Sequence, residues 1–272
     1  MSYDDYDYDE PVEEERPRDP AVDRAKVALT EFFRGRRATT DVFYNTQLAV
    51  LFEREFFHWI TKRAVNELVA EGVLESRTES RSGGGEIRFY WAPANRYGKR
   101  KRKRIHDLVD TISDPKLGLG DHGENMVDAA LGRVGFKEIA QNVAEHEGKG
   151  WEVSGKDLDR IYERDGVKYG AEIKNTLGYI DREEFDEKLG MCLHFGVVPL
   201  FVMRAAAKSY AYKVINAGGF CLLFGKQLYP FGHDELVAAL QEELLLPVHS
   251  PKRLESGHVE RFLRWHIKTA GL

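Results

Sequence analysis

The segment Val197–Met203 (VVPLFVM) constrains the fold most. It is an unbroken apolar run, far shorter than the roughly 20 residues of a membrane span, and it has no alternation that would leave one face for water. Such a run predicts a central strand buried on both faces, which requires helices on either side. The neighbouring sequence supplies them. Arg182–Phe195 reads as a helix before the strand, and Asp234–Leu245 and Val259–Ala270 read as closing helices after it. Gly219–Leu228 predicts a further strand. Upstream, Asp121–Leu131 predicts a helix ended by Gly132–Gly135, and Phe136–Val143, Asp157–Glu163 and Val167–Lys174 predict strands. Asp165-Gly166 reads as a hairpin turn between the last two. The order α-β-β-β-α-β predicts an α/β (α+β) domain, a mixed sheet with helices on its faces.

Charge divides the 272-residue chain into blocks. The net charge of −5 taken whole argues against a polyanionic partner, but its distribution does not. Residues 1–20 carry nine acids and two bases, and residues 96–104 (RYGKRKRKR) carry seven bases and no acid. Residues 21–95 are nearly neutral, and residues 105–272 are acidic. The first block predicts a disordered acidic tail, either a solubilising terminus or an internal mimic of nucleic acid over a basic groove. The basic block predicts an extended, solvated linker that touches phosphates. The acidic start argues against a targeting peptide. Two cysteines exclude a disulfide scaffold and a multi-thiolate zinc site, and they fit reduced thiols in a cytoplasmic protein.

Residues 21–95 predict helices at Val22–Phe33, Thr46–Phe52 and His58–Ala70, the last with Trp59, Ile60, Ala64, Val65 and Leu68 on one face and stopped by Gly72. Strands follow at Val73–Thr78 and Glu86–Trp91 around Arg-Ser-Gly-Gly-Gly. Three helices and a hairpin, with Ala64–Leu74 as the third helix running into the first wing strand, resemble a winged helix-turn-helix domain. The resemblance implies that the third helix enters the major groove, with His58, Lys62, Arg63 and Asn66 on its polar face. Arg77, Arg81 and Arg88 border the wing. With Lys99, Arg100, Lys101, Arg102, Lys103 and Arg104 of the linker, these are the expected DNA contacts, and DNA is the expected partner, duplex or branched.

The chemistry is expected between residues 105 and 272. Glu172 and Lys174 stand at i and i+2 of one strand and so share a sheet face, while Ile173 points into the core. The hairpin turn lets Asp159, at the start of the preceding strand, converge on them. A carboxylate and an ammonium on one face of a strand either pair on an exposed surface or build a site. Glu124 lies in the preceding helix.

This arrangement resembles the PD-(D/E)XK nuclease superfamily, the restriction-endonuclease-like fold of archaeal Holliday-junction resolvases and restriction-type enzymes. The resemblance covers residues 118–204. It rests on Gly123-Glu124, on Asp157–Tyr162 (DLDRIY), on Ala171–Thr176 (AEIKNT) and on Pro199–Arg204 (PLFVMR). It implies that Asp159, Glu172 and the carbonyl of Ile173 hold Mg2+ or Mn2+, that Glu124 adds a ligand through water or a second metal, and that Lys174 orients or deprotonates the attacking water and offsets phosphate charge. Asn175 and Thr176 would touch the DNA backbone. The family's Pro-Asp dipeptide is absent, so the motif acid falls on Asp157 or Asp159, with Asp159 preferred because Arg160-Ile161-Tyr162 follows it. The implied activity is metal-dependent DNA cleavage in repair, recombination or restriction, with a homodimer as a further expectation and no membrane association. Two alternatives stay open: a DNA-binding regulator with a degenerate nuclease domain, and a nuclease for RNA or single strands.

Overall fold

A computed structural model describes residues 19–270; residues 1–18, nearly all of the expected acidic tail, lie outside the described residues. The chain is a mixed α/β protein. No helix among the described residues is long and apolar enough to cross a membrane. The described residues form two compact units, one of 19–117 with 238–246, the other of 118–237 with 247–270.

The first unit contains α1 (Pro20–Phe32), α2 (Arg36–Thr40), β1 (Phe43–Tyr44), α3 (Asn45–Phe52), α4 (His58–Ala70), β2 (Glu75–Ser80), β3 (Glu86–Trp91) and α5 (Gly98–Ile112). Asp19 caps α1 by accepting from the Ala21 amide at 2.8 Å, and Pro20 pre-sets its first turn. Val22, Ala25 and Leu29 of α1 pack on Ile60, Ala64, Val65 and Leu68 of α4 in one core. Gly72, at φ +73°, closes α4 as its spacing predicts. Trp59 departs from expectation: it is 52% exposed and stands outside the core stripe. β1, β3 and β2 form an antiparallel sheet in that order. Ile87 and Phe89 are buried on one side of β3, and Tyr90 joins the helical core on the other.

The expected linker is helical instead. Residues 98–104 form the first half of α5, and the expected boundary at 104/105 falls inside that helix. Lys and Arg are straight-chain residues with good helix propensity. The buried stripe Arg102, Ile105, Leu108 and Val109 runs through the basic block at helical spacing and packs the helix on β3. Part of the repulsion is relieved internally. Arg102 pairs with Glu79 at 2.9 Å and covers the Trp91 ring, and Arg104 grips Glu243 through both carboxylate oxygens.

The second unit contains α6 (Leu119–Arg133), β4 (Lys137–Val143), β5 (Glu145–His146), β6 (Lys149–Gly150), β7 (Leu158–Arg164), β8 (Val167–Lys174), α7 (Arg182–Phe195), β9 (Val198–Met203), α8 (Lys208–Asn216), β10 (Phe220–Leu223), β11 (Gln227–Leu228), the start of α9 (Asp234–Leu244), β12 (Val248–His249) and α10 (Ser256–Ala270). Its main sheet has the order β10-β9-β8-β7-β4, antiparallel from β4 to β8 and parallel from β8 to β10. β9 is buried from Pro199 to Met203. Val127 and Leu131 of α6 and Phe262 of α10 cover one sheet face, and Phe185 of α7 and Val214 of α8 pack with Phe201 and Met203 on the other. The predicted strand Gly219–Leu228 is broken: Gly225 takes φ +81°, and β11 leaves the main sheet to pair with β12. Helix α8 was not foreseen.

Gly170 sets how closely α7 approaches the sheet. A Cβ there would lie 2.7 Å from Val197 Cγ2 and 2.9 Å from Cys192 Sγ. Gly170→Ala is therefore expected to destabilise the protein by about 1–3 kcal/mol through overpacking, measured by urea unfolding, while an unchanged midpoint would show that α7 yields freely.

Candidate active site

The hairpin of β7 and β8 turns at Asp165 and Gly166, with φ +51° and +76°, the backbone of a two-residue turn matched to strand twist. Arg160 pairs with Ala171, which sets Asp159 and Glu172 one step further along the ladder, at the end remote from the turn. Asp159 accepts a hydrogen bond from the Ile173 amide at 2.6 Å. Ile173 itself is buried in the core on the opposite face. Of the alternative acids, Asp159 is the one whose carboxylate reaches β8; Asp157 contributes its carbonyl, which accepts from Lys188 Nζ.

Glu172 is fully buried. Lys174 Nζ lies 3.0 Å from its Oε1, and Lys188 Nζ, from α7, lies 2.8 Å from its Oε2. Neither oxygen receives a well-directed hydrogen bond, so both retain lone pairs in a buried place. Lys174 is also held by Glu184 of α7 at 2.8 Å. The N-cap Asp181 accepts from the Glu183 and Glu184 amides and so fixes the first turn that carries Glu184.

Burial pushes the Glu172 carboxyl up to about 7, with the charge of Asp159 adding to the rise against the two lysines. Burial also raises Asp159, against the Ile173 amide and both lysines. Lys174 responds in the other direction. Burial alone lowers it, but Glu172 and then Glu184 outweigh that and raise it, so it stands as an ammonium. In that form it donates hydrogen bonds and offsets charge and has no lone pair to take a proton.

Glu124 meets Arg160 at 2.9 Å, in a cluster where Arg160 also faces Asp128 and Glu138. Burial raises Glu124 more than Arg160 lowers it. Among the described residues no three His, Cys, Asp or Glu side chains surround one point as a ready-made metal site. The donor set is therefore two carboxylates and a backbone carbonyl. That set suits Mg2+ or Mn2+, hard ions that bind through one or two carboxylates and keep waters or phosphate oxygens. The buried Glu172 oxygens and the raised Asp159 and Glu172 carboxyls fit the same ion, since burial raises both in spite of the two lysines and a bound cation would offset that penalty.

Asn175 and Thr176 do not reach outward. Asn175 is buried, donating to the Leu119 and Leu228 carbonyls and accepting from the Leu228 amide at 2.7 Å, and Thr176 donates to Gly178 O. Buried Arg204 braces the same loop through the Thr176 and Leu177 carbonyls.

The loop before β7 is pinned by Glu187 of α7, which accepts from Ser154 and Trp151 and pairs with Lys156 at 3.0 Å. The Ser154 hydrogen bond, then Lys156 and Trp151, hold Glu187 down at about 2. A depressed acid stabilises the fold fully above its ordinary 4.5 and loses that contribution as pH falls through the folded value. Glu187→Gln should accordingly lower Tm above pH 4.5, and the gap to wild type should close toward pH 2. Melts at a series of pH values check this, and a gap that widens in acid would refute it.

The expected DNA contacts fall into two groups. Arg81 is buried against Asp110 at 3.3 Å and Arg102 is buried against Glu79, a correction to their reading as DNA contacts, while Arg104 pairs with Glu243 and is half-exposed. Charges buried in the protein must be paired there. Arg63 faces Glu67 at 3.4 Å, and Asn66 accepts from the Tyr90 hydroxyl at 3.4 Å. Lys62, Lys99, Arg100, Lys101 and Lys103 are exposed.

Sequence reasoning missed Lys188 and Glu184. The available signal was Lys188 on the buried stripe Phe185, Met191, Cys192 and Phe195 of α7, where an apolar residue belongs. The chain matches no family model, no curated protein and no solved structure.

Proposed function

We propose that the chain is a Mg2+- or Mn2+-dependent DNA endonuclease that hydrolyses phosphodiester bonds beside β7 and β8. In this reading the second unit is a restriction-endonuclease-like core, supported by the order α6-β4-β7-β8-α7-β9, and the first is a winged helix built on α1, α3, α4 and the β2–β3 hairpin. One observation carries the chemistry: Glu172, fully buried, sits between two ammonium groups with Asp159 on the adjoining strand. A purely structural Glu–Lys pair has no need of a second buried lysine or a second acid.

Asp159, Glu172 and the Ile173 carbonyl would hold the ion. Bound there, it supplies Lewis acidity that lowers the pKa of water and neutralises phosphate charge. Lys174, a quarter exposed and steadied by Glu184, reaches toward solvent, where it donates to a phosphate oxygen and orients water. Lys188 keeps Glu172 in place from behind. In the reaction the water oxygen would bond to phosphorus as the P–O ester bond breaks, the water losing its proton to solvent and the leaving oxygen taking one from it.

The test is a panel of labelled duplex, branched and single-stranded DNA and of RNA, incubated with Mg2+, Mn2+ or EDTA. DNA cleavage with either ion and none in EDTA is expected. Binding without cleavage would overturn the reading and leave a non-catalytic DNA-binding protein; cleavage of RNA alone would reassign the substrate.

A further inference from the structure

Two cations of the first unit line one pocket of about 540 Å³: Arg37 of α2 and Lys101 of α5, with Thr40, Asp41 and Tyr97. The Arg37 guanidinium lies over the Phe32 ring, 4.2 Å from its centroid, so packing holds it. Its Nη1 is buried and has no hydrogen-bond partner. An orphaned buried donor is costly until an acceptor reaches it. Lys101 is exposed, and Glu243, which feels its charge, is already gripped by Arg104.

The pocket walls are tied together by hydrogen bonds to backbone carbonyls. Asn95 donates to the Asp41 carbonyl at 2.8 Å, and the Arg96 amide donates to the Thr39 carbonyl at 3.2 Å. The one acid in the lining, Asp41, accepts from its neighbour Thr40 at 2.7 Å. Beside the pocket the first turn of α5 has no acid and no side-chain cap, and Lys99, Arg100 and Lys101 there oppose the helix dipole. Arg96 and Lys103 extend the exposed positive surface.

We infer that this pocket seats a phosphate group of a nucleic-acid backbone. A guanidinium fork matches two phosphate oxygens, and an ammonium adds a point charge. A free phosphate would be satisfied by Arg37 and Lys101 alone, whereas the cations flanking them suit a polyanion that continues past the pocket. The inference rests on the nucleic-acid part of the proposed function and not on its cleavage chemistry.

The experiment is fluorescence anisotropy of the full chain with a labelled DNA duplex in EDTA, across a salt series. Arg37→Met keeps the packing over Phe32, Arg37→Lys keeps the charge without the fork, and Lys208→Met on α8 is the control. Thermal melts verify that each variant is folded. Arg37→Met with Lys101→Met should weaken binding about tenfold and make the slope of log K against log salt shallower by about 0.9, the share of one phosphate. Arg37→Lys should fall between, and Lys208→Met should match wild type. Unchanged affinity and slope in the double variant overturn the inference, as does a wild type that binds no duplex. Calorimetry with inorganic phosphate separates the sources: tight phosphate binding that needs Arg37, with DNA affinity unchanged in the variant, overturns the backbone assignment. Arg37-dependent DNA binding without cleavage in Mg2+ keeps this site and removes the nuclease, and cleavage with equal DNA affinity in both proteins does the reverse.

Discussion

Lys174→Ala should lose DNA cleavage in Mg2+ by about 10²–10⁴-fold, the range for removing one positioned catalytic group, while duplex affinity in EDTA stays within about twofold. Lys174 touches two acids, Glu172 at 3.0 Å and Glu184 at 2.8 Å, and is about a quarter exposed, where fully buried Glu172 is not. Its removal leaves Glu172 paired with Lys188 at 2.8 Å, so the fold should survive with a small drop in Tm. Single-turnover rates at saturating enzyme isolate the chemical step from binding. Glu184→Gln frees Lys174 from one anchor and should slow cleavage by a smaller factor. Lys174→Ala cutting at the wild-type rate would remove Lys174 from the chemistry and with it the strongest support for the nuclease reading.

Much of this architecture is written in local patterns. The strands Glu86–Trp91 and Val167–Lys174 and the helices His58–Ala70 and Arg182–Phe195 match their expected limits, because a clear period ends at a turn or stop signal in each. Asp159, Glu172 and Lys174 were legible for the same reason: strand alternation and a two-residue turn leave them one place to meet. Helix α5 was missed because seven like charges mask a buried stripe that begins at Arg102, inside the basic block. Helix α8 was missed because it buries one residue, Val214, too few to set a period. The partners of the site were illegible because they are tertiary. Nothing near Arg160 in the chain announces Glu124 and Asp128, and nothing beside Glu172 announces Lys188.

Lys188→Met should reduce the free energy of unfolding by about 3 kcal/mol, the cost of removing one partner from a buried ion pair. Lys188 is 4% exposed, donates to the Asp157 carbonyl, and lies 2.8 Å from Glu172 Oε2. Met fills similar volume, so the loss is electrostatic rather than a cavity. Lys174 remains to offset part of the Glu172 charge, and a carboxyl already pushed up to about 7 has a second escape in taking up a proton, which bounds the penalty. The sharper expectation concerns the pair. In the Glu172→Gln/Lys188→Met protein no buried charge is left without its partner, so about 2 kcal/mol of the single-variant loss should return, a coupling typical of residues in one network. Urea unfolding of wild type, both single variants and the double variant in EDTA measures it, with unchanged m-values showing that the unfolded state is not the source. Additive losses would mean that Lys188 serves the packing of α7 alone. Strong coupling would mean that the two ammonium groups hold Glu172 in place before any metal arrives, so that the carboxylate the proposed chemistry depends on is oriented by the fold itself.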